Sequence, residues 1–252
     1  MKNRKWFDLT NTRCVVAGSE GLLGRSVCDA LSDCGAEIDR IDSIGKDAKK
    51  KSNFHRVDLT NESELKDYFQ TLKPNNQNWA FINCSYPRTE NWGTLAFENV
   101  ALEDFNKNTN MHLGSAFLFS QLAVKHLKKS NGGSIVNFGS IYGVSGPDLG
   151  IYDGTKMNNP SPYAAIKGGV NGLTRYIATA YGKNNIRANV VCPGGIFDQQ
   201  PKSFVSAYEK RTPLGRMAKP DDISGVVAFL VSPAAKYMTG QILLVDGGWT
   251  AW

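Results

Sequence analysis

From Arg13 to Val245 short apolar runs alternate with stretches of helical period, and no other feature constrains the fold as tightly. The strand-like runs are Arg13–Ala17, Ala36–Ile41, His55–Leu59, Trp79–Asn83, Ser134–Phe138, Ile186–Cys192 and Gln241–Val245. Helical period fills the gaps. One segment carries Leu23, Val27, Ala30 and Leu31, another runs from a Thr60/Asn61 cap to about Leu72, and a long one from about Leu102 to Lys128. Two more follow, Ser161 to about Gly182 and Asp221–Val231, with a mobile-looking stretch, 197–220, between them. Strands that alternate with helices pair in parallel, because each crossover helix carries the chain back to the same end of the sheet. The pattern predicts an α/β chain: one doubly wound parallel sheet of about seven strands, helices on both faces, and ligands outside the carboxyl ends of the strands.

The chemistry-bearing residues fall at those ends. Gly18-Ser-Glu-Gly-Leu-Leu-Gly24 follows the first strand and opens the first helix, the context in which glycines let backbone N–H groups approach a pyrophosphate. Three glycines also make an ordinary turn. Asp42 ends the second strand, where a carboxylate accepts from a ribose 2′-OH and repels a 2′-phosphate. In the helix after Pro162, Ile166, Val170, Leu173 and Ile177 define one apolar face, and Tyr163 and Lys167 lie one turn apart beside it. A phenol with an ammonium one turn away handles protons, the cation drawing the phenol's pKa down. The bland alternative is a solvated lysine beside a half-buried tyrosine. Tyr152-Asp-Gly-Thr-Lys156 repeats the spacing, but Gly154 and Pro160 prevent a long rigid helix there.

At 252 residues without linker, repeat or low-complexity block, the chain reads as a single domain, 1–252. Its apolar runs are far short of a membrane span, and its first residues lack a signal-peptide core. Five cysteines and three histidines without ligand spacing argue against a metal and for a reducing, cytoplasmic setting. The net charge is +6, and the densest basic run, Lys46–Lys51, reads as a solvated loop without a nucleic-acid motif beside it. The expected partner is a small molecule, with no nucleic acid and no membrane.

Over nearly its full length the chain resembles the short-chain dehydrogenase/reductase family. The resemblance is carried by Ala17-Gly18 through Gly24, Val57-Asp58-Leu59, Ile82-Asn83, Asn110, Gly133 through Ser140, Tyr163-Ala-Ala-Ile-Lys167, Ile186 through Gly194, Pro213 through Asp222 and Thr239 through Gly248. It implies a catalytic set of Asn110, Ser140, Tyr163 and Lys167. Ser140 would orient the substrate oxygen, Tyr163 would act as acid or base, Lys167 would tune Tyr163 and hold the nicotinamide ribose, and Asn110 would hold a relay water. It implies NAD as cofactor, NADP being the lesser choice. The contacts would come from the turn (Gly18, Glu20, Gly21, Leu23, Gly24), from Asp42, Asp58 and Leu59, from Asn83 and Ser85, and from Pro193, Gly194 and Ile196, together with Tyr163 and Lys167. It also implies a homo-oligomer, a tetramer.

Four departures from the family pattern stand out. Leu22 holds the middle glycine's place, Cys84-Ser85-Tyr86 replaces Asn-Ala-Gly, Asp198 stands where threonine is usual, and an insert at about 146–162 separates Ser140 from Tyr163. The insert is rich in hydrogen-bonding groups, and with Arg88 and Tyr152 it predicts a pocket for a polar, anionic, sugar-like substrate. The combination of Asn-Cys-Ser-Tyr-Pro-Arg, Gly-Ser-Ile-Tyr-Gly-Val and Ile-Tyr-Asp-Gly-Thr is similar to oxidoreductases linked to flagellin modification and nonulosonic (legionaminic-type) sugar synthesis. The leading reading is an NAD(H)-dependent oxidoreductase interconverting a secondary alcohol and a ketone. The alternatives are a catalytically idle dinucleotide-binding scaffold or redox sensor, and an epimerase or dehydratase that oxidises transiently.

Overall fold

The computed structural model describes residues 6–45, 53–75, 77–90, 92–93 and 95–252; the Lys46–Lys51 run lies outside them. Among the described residues the strands are β1 (Thr12–Ala17), β2 (Glu37–Asp42), β3 (Asn53–Arg56), β4 (Asn78–Asn83), β5 (Gly133–Phe138), β6 (Ile186–Pro193) and β7 (Ile242–Val245). They form one seven-stranded, all-parallel sheet in the order β3-β2-β1-β4-β5-β6-β7. The helices are α1 (Leu22–Asp33), α2 (Glu62–Thr71), α3 (Leu102–Thr109), α4 (Ser115–Leu127), α5 (Ser161–Tyr181), α6 (Lys202–Arg211) and α7 (Pro220–Val231). After β3 the chain crosses back to lay β4 beside β1. The order reverses between those two strands, which opens a crevice at their carboxyl ends.

Strand periodicity divides the core. Val15 and Ala17 point to one face and pack with Leu65, Phe69, Phe81 and Phe119. Cys14 and Val16 point to the other, against Val27, Leu31, Ile223 and Val227 of α1 and α7. Both faces of β1 are therefore apolar, as a central parallel strand requires. Phe81 stacks with Phe69 and Trp79, and truncating it to alanine would cost about 3–5 kcal/mol. No helix of the described residues is long and apolar enough to cross a membrane.

Three segments differ from expectation. The third strand stops at Arg56, because the Asp58 carboxylate accepts from the Thr60 N–H and hydroxyl and bends the chain away from the sheet. The long helix is broken: Asn110–Gly114 winds as a π turn between α3 and α4, adding a residue to the local repeat. The stretch 197–220 contains α6. That helix shows only a narrow apolar stripe, Phe204 and Tyr208, too thin to read from periodicity. It is stabilised from outside itself, by Ile151 and Tyr152 of the insert and by Trp249 near the C-terminus.

Candidate active site

The glycine turn is fixed by close approach. Gly18 adopts φ +73°, and a Cβ there would stand 2.7 Å from the Ser85 backbone. A Cβ on Gly24 would overlap the Gly18 carbonyl oxygen, so α1 packs directly under the turn. The Gly21 N–H donates to the Gly18 carbonyl (3.2 Å), and Leu23 packs its side chain towards the core beneath. Asp42 is buried at the end of β2. Its carboxylate accepts from the N–H of Glu20 (2.9 Å) and of Ile44 (3.2 Å), which ties the turn to β2. Glu20 itself turns away and pairs with Arg40 at 2.5 Å.

These residues begin a single cleft of about 1020 Å³ that runs across the carboxyl ends of the strands. Gly18, Gly21, Leu23, Asp42, Asp58, Leu59 and Ser85 line one arm, and Pro193, Gly194 and Ile196 line the wall beyond. Three of the residues nominated for the cofactor do not line it. Glu20 is turned to Arg40, and Gly24 acts from under the turn. Asn83 is buried, its side-chain oxygen accepting from the Ser85 N–H (3.1 Å) and hydroxyl (2.6 Å) and so setting that loop.

Ser140, Tyr163 and Lys167 meet at the head of the cleft. Ser140 leaves β5 in an extended conformation, accepts from the Tyr142 N–H (3.2 Å) and hydrogen-bonds Tyr163. Pro162 in the first turn of α5 starts the helix that carries Tyr163 and Lys167 on one stripe. Lys167 is 4% exposed; its Nζ donates to the Phe138 carbonyl at 2.9 Å and lies 5.6 Å from the centre of the Tyr163 ring. Burial pushes the ammonium down to about 8, with the Cys192 and Cys84 thiols opposing that shift. The phenol does not follow the simple expectation. Burial first, and then Tyr86, push Tyr163 up, and only the Ser140 hydrogen bond pulls it down. Tyr152, the competing tyrosine, sits across the cleft against Phe204 (5.2 Å), and its hydroxyl accepts from Asn159 (3.4 Å).

Asn110 is not brought to this cluster. It is exposed at the start of the π turn and lines a separate surface pocket with Leu113, Phe117 and Leu173. His112, two residues on, is the side chain that the turn delivers, with its Nε2 3.2 Å from Lys167 Nζ. Sequence reasoning missed it because an unbroken helix gives no reason to prefer position 112 over 110.

The outer wall is made of side chains. The Tyr86 ring meets Tyr163 edge-on (5.9 Å), and its hydroxyl accepts from the Trp92 indole (2.9 Å). Arg88 lies over Tyr86 at 5.5 Å, and Tyr152, Lys156 and Asn159 of the insert face the same space. Among the described residues no cluster of His, Cys, Asp or Glu has the makings of a metal site.

A switch-point crevice reached by a glycine turn, closed at one end by a carboxylate and at the other by a Ser–Tyr–Lys cluster, has the make-up expected of a dinucleotide-dependent oxidoreductase. Comparison with known proteins makes the class specific. A family model described as enoyl-(acyl carrier protein) reductase matches residues 23–250. The chain is 34% identical to post-translational flagellin modification protein A of Campylobacter coli, over 96% of this chain and 99% of that one. It is 40% identical to a tropinone reductase homolog of Arabidopsis thaliana, over 98% and 92% respectively. A crystallised short chain dehydrogenase from Leptospira borgpetersenii with bound NAD+ superposes with a TM-score of 0.85 at 34% identity, covering 96% of this chain and 94% of its own. The chain belongs to the short-chain dehydrogenase/reductase family, and as such is an oxidoreductase acting on CH–OH groups.

Proposed function

We propose that this protein interconverts a secondary alcohol and a ketone of a sugar derivative with NAD(H), using Ser140, Tyr163 and Lys167. The observation that carries this reading is the Ser140–Tyr163–Lys167 cluster at the head of the cleft that begins at Asp42. The residues fit a dinucleotide. The turn leaves room only for glycine at Gly18 and Gly24, and the cleft is larger than the substrate alone would need. Asp42 would hold the adenosine ribose, Asp58 and Leu59 would flank the adenine, and Pro193, Gly194 and Ile196 would back the nicotinamide. NAD in preference to NADP follows from the buried Asp42 carboxylate, which a 2′-phosphate would face at the end of β2.

The cofactor, when bound, supplies or accepts the hydride and brings the positive charge of its oxidised ring. The protein handles the proton. Ser140 donates to the substrate oxygen and fixes it beside Tyr163. Tyr163 takes the alcohol's proton in oxidation or gives one to the ketone oxygen in reduction. The Lys167 ammonium, 5.6 Å from the centre of the Tyr163 ring, would stand beside the phenolate as it forms. Tyr86 and Trp92 exclude water from one side.

A sugar derivative is favoured by the hydrogen-bonding insert, and an anionic one by Arg88 and Lys156 on the same cleft. The flagellin modification relative points the same way. A homotetramer is the expected assembly, supported by Phe117, Tyr176 and Leu244 left exposed on α4, α5 and β7. Five unpaired cysteines suit a reducing, cytoplasmic setting. Screening nucleotide sugars, sugar phosphates and acidic sugars by NADH absorbance tests the reading. NADH formed from an acidic or phosphorylated sugar supports it. Turnover confined to apolar ketones, or an Arg88→Ala variant that raises KM equally for neutral and anionic substrates, sinks the sugar assignment.

A further inference from the structure

The buried Lys167 ammonium must place its donors. Among the described residues two acceptors lie within hydrogen-bond reach: the Phe138 carbonyl at 2.9 Å and His112 Nε2 at 3.2 Å. The remaining direction faces the Tyr163 and Tyr86 rings, whose centres are 5.6 and 5.7 Å from Nζ. His112 is 3% exposed and packs edge-on against Tyr86, ring centres 5.1 Å apart at 87°. Its position is a product of the π turn Asn110–Gly114, where the Ser115 hydroxyl accounts for the His112 carbonyl at 3.1 Å.

An ammonium only donates, so Nε2 has to present its lone pair and the ring proton has to sit on Nδ1. That Nδ1 is buried and has no protein partner. Burial and the adjacent Lys167 charge push the imidazole down to about 2, so the ring stays neutral wherever the enzyme works. A lysine buried this deeply with one acceptor fewer would lose its charge more readily.

We propose that neutral His112, in its Nδ1–H form, is the positioning residue that holds Lys167 charged and aimed at Tyr163. This rests on the reading of Tyr163 and Lys167 as the proton-handling pair. The other titratable groups facing Lys167 are Tyr163 on its own helix, Cys84 and Tyr86 beyond β4, and Cys192 on β6. Each thiol is held neutral by burial, so His112 is the adjustable acceptor.

Two measurements test this. In protein labelled with 15N-histidine, long-range proton–nitrogen spectra between pH 6 and 9 should show one neutral ring with Nδ1 protonated and Nε2 accepting. That signal is assigned by its loss in His112→Asn. In the ketone-reducing direction, where Tyr163 and Lys167 both need their protons, folded His112→Leu should move the alkaline limb of kcat about one pH unit lower. Its kcat should fall about 10–100-fold while KM for NADH stays within about 3-fold, and His112→Asn, which restores an acceptor, should recover most of both. An Nε2–H tautomer, a protonated ring, or an unshifted limb in folded His112→Leu overturns the proposal. Should His112→Leu not fold, the tautomer in the wild-type protein decides alone. Turnover retained in Tyr163→Phe would instead overturn the parent reading, leaving the tautomer result to judge His112 separately.

Discussion

At its β1–β2 end the cleft is walled by main chain drawn tight by glycines, whereas around Tyr163 it is walled by side chains from five separate segments. The first wall is local. Gly18, Gly21 and Gly24 lie within one turn of chain, and Asp42 joins them through the Glu20 N–H. The second wall is assembled from the loop after β4 (Tyr86, Trp92), the end of β5 (Ser140), the insert (Tyr152), α5 (Tyr163, Lys167) and α6 (Phe204), with His112 of the π turn touching Lys167. A wall of main chain recognises what backbone N–H groups and one carboxylate recognise, a dinucleotide. A wall of side chains can be altered residue by residue, which suits it to set substrate choice.

The contrast is broken most sharply at Tyr163. Tyr163→Phe should lower kcat by about 10³-fold or more while NADH affinity changes less than about 3-fold. Stopped-flow turnover and fluorescence titration of the cofactor check both halves, and comparable turnover in Tyr163→Phe with loss in Tyr152→Phe would reverse the assignment. Next is the main-chain wall. Gly18→Ala meets a left-handed φ and the Ser85 backbone together, for about 2–4 kcal/mol of destabilisation in a urea titration and a matching loss of cofactor binding.

Lys167 separates stability from function. Its folded value, about 8, lies below the ordinary 10.5, so between those pH values the unfolded chain binds more protons. Wild-type stability should therefore rise from pH 8 to 10.5, with the full penalty present below 8. Lys167→Met removes a penalty of about 3 kcal/mol at most, offset in part by the two acceptors it abandons. The variant should be inactive, at least as stable as wild type near pH 7, and without the alkaline rise. A wild-type stability that falls across that window would show that Lys167 is not buried as charged. The smallest effect is expected at the carboxylate. Asp42→Ala should narrow the preference of kcat/KM for NAD(H) over NADP(H) by about 10-fold, and a wild type that prefers NADP(H) would refute the role given to Asp42.

Where the site is local, the sequence is readable. The alternation of runs yields the parallel sheet, because periods of 2 and 3.6 are properties of the backbone itself. Strand, glycine turn and helix place Gly18 and Gly24, and one helical turn places Tyr163 beside Lys167, all within short stretches of chain. Tertiary structure alone decided three things. It broke the helix at Asn110–Gly114 and put His112, rather than Asn110, against Lys167. It made α6 a helix from a stretch with two large apolar residues by packing them on Tyr152 and Trp249, from segments distant in sequence. It raised the Tyr163 phenol instead of lowering it, since burial depends on everything packed around the ring and not on the lysine one turn away. Periodicity is written in neighbouring residues, but register shifts, borrowed packing and desolvation are sums over the whole fold.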